Sequence, residues 1–288
     1  MTQIDGHLLD PRQYAGPREL SDHRQLSDSR QLSDSRQSLA RSRSDAFAAL
    51  FDPTTFGHVE RLGIGPGWRC WEVGAGGTSV ISWLAKRVGP TGRVLATDID
   101  TSWQTRAARS PLEVRIHDVA TEPPPGGGFD LVHARLVLAD VSDRERALAS
   151  MLKALRPGGR LLIEEPDLAL QSLACPDEYG HAQELANRLR HGVRSLLAER
   201  GADVAYGRSL PRLLREAGLR RVESDVYFPL TSPACAELET ATLKQLRPDL
   251  VAAGLATAED IDRHVADAAT GTLDLAAPPL ISTWGRKA

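Results

Sequence analysis

Glu72, Gly74, Gly76, Gly77 and Asp98 are the residues whose types and spacing promise chemistry. The glycines fall where the apolar run Cys70-Trp71-Glu72-Val73 gives way to the amphipathic run Val80-Ile81-Ser82-Trp83-Leu84-Ala85, so a strand is expected to bend sharply into a helix. Such a bend brings bare backbone amides and the positive end of a helix up to a ligand, with no Cβ atoms in the way. The next apolar run, Arg93-Val94-Leu95-Ala96-Thr97, ends at Asp98. A carboxylate at the tip of a second strand is placed to accept hydrogen bonds from ribose hydroxyls. Together these features predict a nucleoside-type pocket.

The spacing decides against a dinucleotide. G-x-G-x-x-G counted from Gly74 would need a glycine where Ser79 stands, and Asp98 lies beyond the usual distance of about 20 residues. Glu72 would repel a diphosphate, but it suits a ligand bearing ammonium and sulfonium charge. S-adenosylmethionine is such a ligand.

With these residues in place the chain resembles the class I S-adenosylmethionine-dependent methyltransferases. The resemblance rests on Glu72-Val73-Gly74-Ala75-Gly76-Gly77-Thr78, Asp98, Val114-Arg115-Ile116-His117-Asp118-Val119, Phe129-Asp130-Leu131-Val132-His133-Ala134-Arg135 and Leu155-Arg156-Pro157-Gly158-Gly159, and covers roughly residues 39–288. It implies that Gly74, Gly76 and Thr78 line the methionine part of the donor and that Glu72 meets its charged end. It further implies that Asp98 holds the ribose, that Ile99 packs on adenine, and that Asp118, with Val119 beside it, receives the adenine amino group. Thr78 departs from the family's third glycine, and its hydroxyl is expected to cap the helix that follows. The implied fold is α/β: a Rossmann-like, doubly wound seven-stranded sheet with an antiparallel last strand.

The order of elements agrees with that fold. Helical and strand patterns alternate from the first strand onward, the mark of parallel strands joined by crossover helices. Ser142-Asp143-Arg144-Glu145 reads as a capping box ahead of Leu148, Met151, Leu152 and Leu155. Residues 166–207 interrupt the alternation, and the helix expected from His181 to Gly201 makes them a lid over the strand ends. Ala46, Leu50 and Phe51 suggest one helix and Phe56, Val59 and Leu62 a second beyond Pro53. Residues 18–37 repeat a six-residue unit with one leucine each, which keeps no helical period, so residues 1–38 are expected to form a mobile tail. Tyr14 within it is a candidate lid residue.

Methyl transfer requires alignment of a nucleophile, exclusion of water and the handling of one proton. His133, His181 and Tyr179 are the candidates for orienting or deprotonating the acceptor, because imidazole titrates nearest neutrality. Arg135 could orient an acidic acceptor or bridge to the lid. Of Glu164, Glu165 and Asp167, one could hold an acceptor N–H while others face water.

Composition sets the remaining bounds. The 288 residues carry a net charge of −3 and three widely spaced cysteines. That balance offers no basic footprint for nucleic acid, and the cysteines have neither a disulfide nor a metal-ligand pattern. No apolar run approaches the length of a membrane span. A metal-independent, cytoplasmic enzyme is expected, acting on a small, secondary-metabolite acceptor, with a homodimer left open. The rival readings are a nicotinamide-dependent oxidoreductase, a non-catalytic donor-binding partner protein and, behind these, a macromolecule-modifying enzyme.

Overall fold

The computed structural model describes residues 17–101 and 108–288. Tyr14 therefore lies outside the described residues. Seven strands, β1 (Arg69–Val73), β2 (Arg93–Asp98), β3 (Leu112–Ile116), β4 (Phe129–Arg135), β5 (Leu155–Pro166), β6 (Arg220–Tyr227) and β7 (Leu280–Arg286), form one sheet in the order β3-β2-β1-β4-β5-β7-β6. The first five are parallel, and β7 runs antiparallel to both β5 and β6. Strand order reverses between β1 and β4, where open α/β sheets leave a crevice for ligand.

Two helical layers cover the sheet. Helix α2 (Ser79–Val88) and the end of α1 (Pro17–Arg61) pack on one face through Val80, Ile81, Leu84, Val88 and Val59, against Cys70, Val94, Leu131 and Leu162. Helices α3 (Arg144–Ala154) and α5 (Leu210–Glu216) cover the other through Leu148, Met151, Leu210 and Leu214, against Trp71, Val132, Leu161 and Ile163. Strand alternation explains the split, since neighbouring residues point to opposite faces. Helix α3 starts at Asp143, whose carboxylate accepts from the Arg146 amide at 2.9 Å, one residue beyond the expected Ser142 cap.

A roof closes the carboxyl ends of the strands. It combines α4 (His181–Glu199), α6 (Pro233–Ala252) and α7 (Ala258–Ala269) around Leu189, Val193, Leu243, Leu250 and Ile261. The middle of α1 joins them, with Ala46, Leu50 and Phe51 packed beside Ala186, Cys235 and Leu238. The expected 166–207 lid is thus one part of a four-helix cover, and α7 was not anticipated.

Two expectations about α1 need correction. Pro53 does not divide it, because Phe51, Thr55 and Val59 on either side are all buried and docking outweighs the lost backbone bond. Nor does regular structure begin at residue 39. The repeat lies within α1, since its Arg, Gln and Leu residues are good helix formers and can prolong a helix nucleated downstream without a buried stripe. Among the described residues no helix is long and apolar enough to cross a membrane.

Candidate active site

A cavity of about 610 Å³ lies between the strand ends and the roof, within the usual range of about 300–1,000 Å³ for small-molecule sites. Its floor is the β1–α2 bend, and its rim carries the tips of β2 and the segment after β3. Gly74 adopts φ +67°, and a Cβ there would lie 2.4 Å from the Val137 side chain. Only glycine meets both demands. A Cβ on Gly76 would meet nothing within 4 Å, and Gly76 lines the cavity.

Glu72, Gly74, Gly76, Asp98, Ile99, Asp118 and Val119 all line this space. Ile99 stands 75% exposed at the rim. Asp98 accepts from the Asp100 amide at 3.0 Å, while burial pushes its carboxyl above the ordinary range against the pull of such amides. Asp118 accepts from Thr121 Oγ1 at 2.7 Å and from the Ala120 amide at 2.8 Å, and these bonds hold it below the ordinary range. Thr78 does not reach the lining, although its neighbours Gly77 and Ser79 do, and its side chain makes no cap bond with α2.

The three catalytic candidates fare differently. His181 is fully exposed and paired only with Glu184, and Tyr179 is 72% exposed; both lie outside the cavity. They sit just before and at the first turn of α4, which turns its apolar face, not this end, toward the roof's core. The fold brings neither of them to the cavity. His133 is wholly buried behind Glu72, bonded to it at 2.6 Å, and is absent from the lining. It stands behind the cavity wall, beside Glu72 in the register of β1 and β4.

The carboxylates at the end of β5 do not face water. Glu164, Glu165 and Asp167 are each wholly buried. Asp167 accepts from the Ala169 and Leu170 amides and from Arg208. Glu165 lines the cavity; its Oε1 accepts from the Val137 and Leu138 amides at 2.9 and 2.6 Å, and its Oε2 has no partner among the described residues. Burial pushes its carboxyl up to about 8, despite the opposing amide bonds. At neutral pH it is a neutral acid. Arg135 reaches Asp52 at 2.8 Å and Thr55 at 3.0 Å, so its bridge runs to α1.

The roof contributes residues that the sequence reading missed. Arg190 and Glu239, both buried, pair at 2.5 Å across α4 and α6 and line the cavity with Phe47, Val193, Leu197, Leu238 and Leu243. Arg190 Nη1 and Glu239 Oε1 have no partner among the described residues. A signal was available. Arg190 falls between Ala186 and Val193, and Glu239 between Cys235 and Leu243, at helical spacing on otherwise apolar faces.

Comparison with known proteins agrees with this geometry. The methyltransferase-domain family profile matches residues 71–163. The ubiquinone/menaquinone biosynthesis C-methyltransferase UbiE of Bordetella parapertussis is 31% identical over 194 residues, covering 62% of this chain and 72% of that protein. The chain belongs to the class I S-adenosylmethionine-dependent methyltransferases, whose methyl donor is S-adenosylmethionine. It is also 32% identical over 165 residues to an uncharacterized 37.1 kDa protein of a Streptomyces fradiae transposon, 46% of whose length it spans. Among solved structures, the phosphoethanolamine N-methyltransferase 2 of Haemonchus contortus shares the fold at a TM-score of 0.53 and 13% identity, over 86% of this chain and 56% of that one. The YcgJ protein of Bacillus subtilis does so at 0.50 and 13%, over 80% and 96%.

Proposed function

We propose that this protein transfers the methyl group of S-adenosylmethionine to a small acceptor held between the glycine bend and the helical roof. The observation that carries the reading is that one cavity is bounded on one side by the nucleoside-type residues and on the other by roof residues. The residues present fit the donor: Gly76 leaves open space, Ile99 offers an uncovered apolar surface, and Glu72 is an anion-forming group suited to an ammonium. Glu72, Gly74 and Gly76 would hold the methionine part, Asp98 the ribose, and Ile99, Asp118 and Val119 the adenine. When bound, the donor supplies a carbon already activated by its sulfonium.

This chain's own residues must then place the acceptor, keep water out and receive one proton. Leu168, Val193, Leu197, Val204, Leu238 and Leu243 form apolar walls, which suits an acceptor with a flat or aliphatic body. Arg190 and Glu239 offer it a donor and an acceptor side by side. Glu165 is placed to take the proton once ionised, a form that prevails only above its pKa of about 8: its Oε1 is fixed by two amides and its Oε2 has no partner among the described residues.

A second reading concerns the atom methylated. The relatives that share 31% identity are named for C-methylation in ubiquinone and menaquinone biosynthesis, which favours an electron-rich ring carbon as nucleophile over oxygen or nitrogen. A secondary-metabolite phenol or quinol satisfies both readings, and the buried, unpaired Cys70, Cys175 and Cys235 suit a reducing cytoplasm. The deciding experiment incubates isotopically labelled donor with a panel of phenols, quinols, amines and carboxylates, and locates the label by NMR. Label on none of them, with no thermal stabilisation by S-adenosylhomocysteine, would overturn the proposal; stabilisation by NAD(H) instead would favour an oxidoreductase.

A further inference from the structure

Behind the cavity wall, carboxylates and imidazoles alternate in one unbroken line. Glu72 Oε2 meets His133 Nδ1 at 2.6 Å, and His133 Nε2 meets Glu164 Oε2 at 3.3 Å. Glu164 Oε1 meets His58 Nδ1 at 3.1 Å, and His58 Nε2 meets Asp225 Oδ2 at 2.9 Å. Only the ends leave the interior: Glu72 lines the cavity, while the Asp225 side chain is 42% exposed beyond the far edge of the sheet.

The sheet register builds this line. Glu72 pairs with His133 across β1 and β4, Arg135 with Glu164 across β4 and β5, Glu164 with Ser282 across β5 and β7, and Ser282 with Asp225 across β7 and β6. Residues an even number apart share a face, so these six sheet residues lie under α1, which adds His58 and Thr55. Thr55 and Ser282 each donate to Glu164, at 2.5 and 2.8 Å. Both oxygens of Glu164 and both nitrogens of each imidazole are thereby occupied.

Such a line is costly to bury, since each ion removed from water loses several kcal/mol of hydration and an apolar core of the same volume is often as stable. Its geometry acts at the one end that meets the cavity. Burial opposes charge on His133, but Glu72 and Glu164 outweigh it and raise its pKa to about 9. For Glu164, burial is likewise overcome by bonds from His133 and His58, and it lies well below the ordinary range.

We propose that His133, braced from behind by Glu164 and His58, is a positioning residue that fixes the Glu72 carboxylate to receive the ammonium end of the donor. An unbraced glutamate would have to lose its rotamer freedom at the moment of binding; here that ordering is complete beforehand.

The inference rests on the donor site proposed above, and two ligands separate the two claims. S-adenosylhomocysteine carries the ammonium, whereas 5′-methylthioadenosine keeps the nucleoside and thioether but lacks the amino-acid end. Calorimetry on the full chain should find that His133→Leu weakens S-adenosylhomocysteine at least tenfold and leaves 5′-methylthioadenosine within twofold. His133→Asn, which keeps one N–H toward Glu72, should recover part of the loss. Equal weakening of both ligands, or no change in either, would overturn the positioning role. Should His133→Leu fail to fold, His58→Gln carries the test. It should weaken S-adenosylhomocysteine alone by about threefold through loss of bracing, and unchanged affinity would overturn the proposal. A wild-type chain that binds neither ligand removes the donor site itself.

Discussion

Gly74 and Gly76 stand two residues apart in one bend and should respond to substitution in opposite ways. At Gly74 a Cβ meets Val137 and φ is positive, so Gly74→Ala should cost about 1–3 kcal/mol of unfolding free energy, read from the denaturant midpoint. Gly76→Val places its bulk in open space at the cavity lining. It should leave thermal stability unchanged while weakening S-adenosylhomocysteine at least tenfold, and a fall in melting temperature with intact affinity would contradict the assignment. Asp98→Ala should likewise weaken that ligand by about tenfold, or about 1.4 kcal/mol; an unchanged dissociation constant would remove Asp98 from the ribose. Titration gives a third check. Glu165 and His133 both hold protons in the folded state that the unfolded chain releases at its ordinary values of about 4.3 and 6.5. Their contribution is therefore complete below those values and is lost as pH rises through about 8 and about 9. Glu164, depressed on folding, acts in the opposite sense and withdraws stability as pH falls below the ordinary glutamate range. Melting temperature should peak in mildly acidic buffer and decline toward pH 9, and Glu165→Gln should flatten the decline up to about 8.

At the scale of elements, a buried ion pair ties the roof helices together. Arg190 on α4 donates to Glu239 on α6 and, at 2.9 Å, to the Ala276 carbonyl. Removing one partner strands a buried charge, so Arg190→Met alone should destabilise by about 3–5 kcal/mol, whereas Arg190→Met with Glu239→Leu should recover most of that loss. A double-mutant cycle measures the difference. Helix α1 is tied in a different way, by Arg135 to Asp52 and Thr55 and by Glu164 to Thr55 and His58. These bonds lie on both sides of Pro53, which is why the helix runs through a residue that normally ends one.

For the molecule as a whole, the described cavity lining begins at Arg43 and Ser44, late in α1. Removal of residues 1–37 should therefore leave S-adenosylhomocysteine affinity within twofold, measured by calorimetry. A larger loss would make the repeat segment part of the donor site. Loss of a binding partner with the donor site intact would instead favour the reading of this segment as a docking arm.

Local order in the chain was enough to set the sheet and its ligand crevice. Glycines after an apolar strand, an acid ending the next strand and regular alternation of helix and strand are short-range signals, and each acts within a few residues of itself. Seven strands, parallel direction and an antiparallel last strand were anticipated through the family resemblance these motifs support, and the sheet has them. The roof and the buried line from Glu72 to Asp225 were not legible in the same way. His58, His133, Glu164 and Asp225 lie far apart in the chain and meet only because the strand register and the docking of α1 stack them on one face. His181 and Tyr179 lie away from the cavity for the complementary reason. Which way a helix turns its ends is decided by what its apolar face packs against, and that is a property of the folded whole.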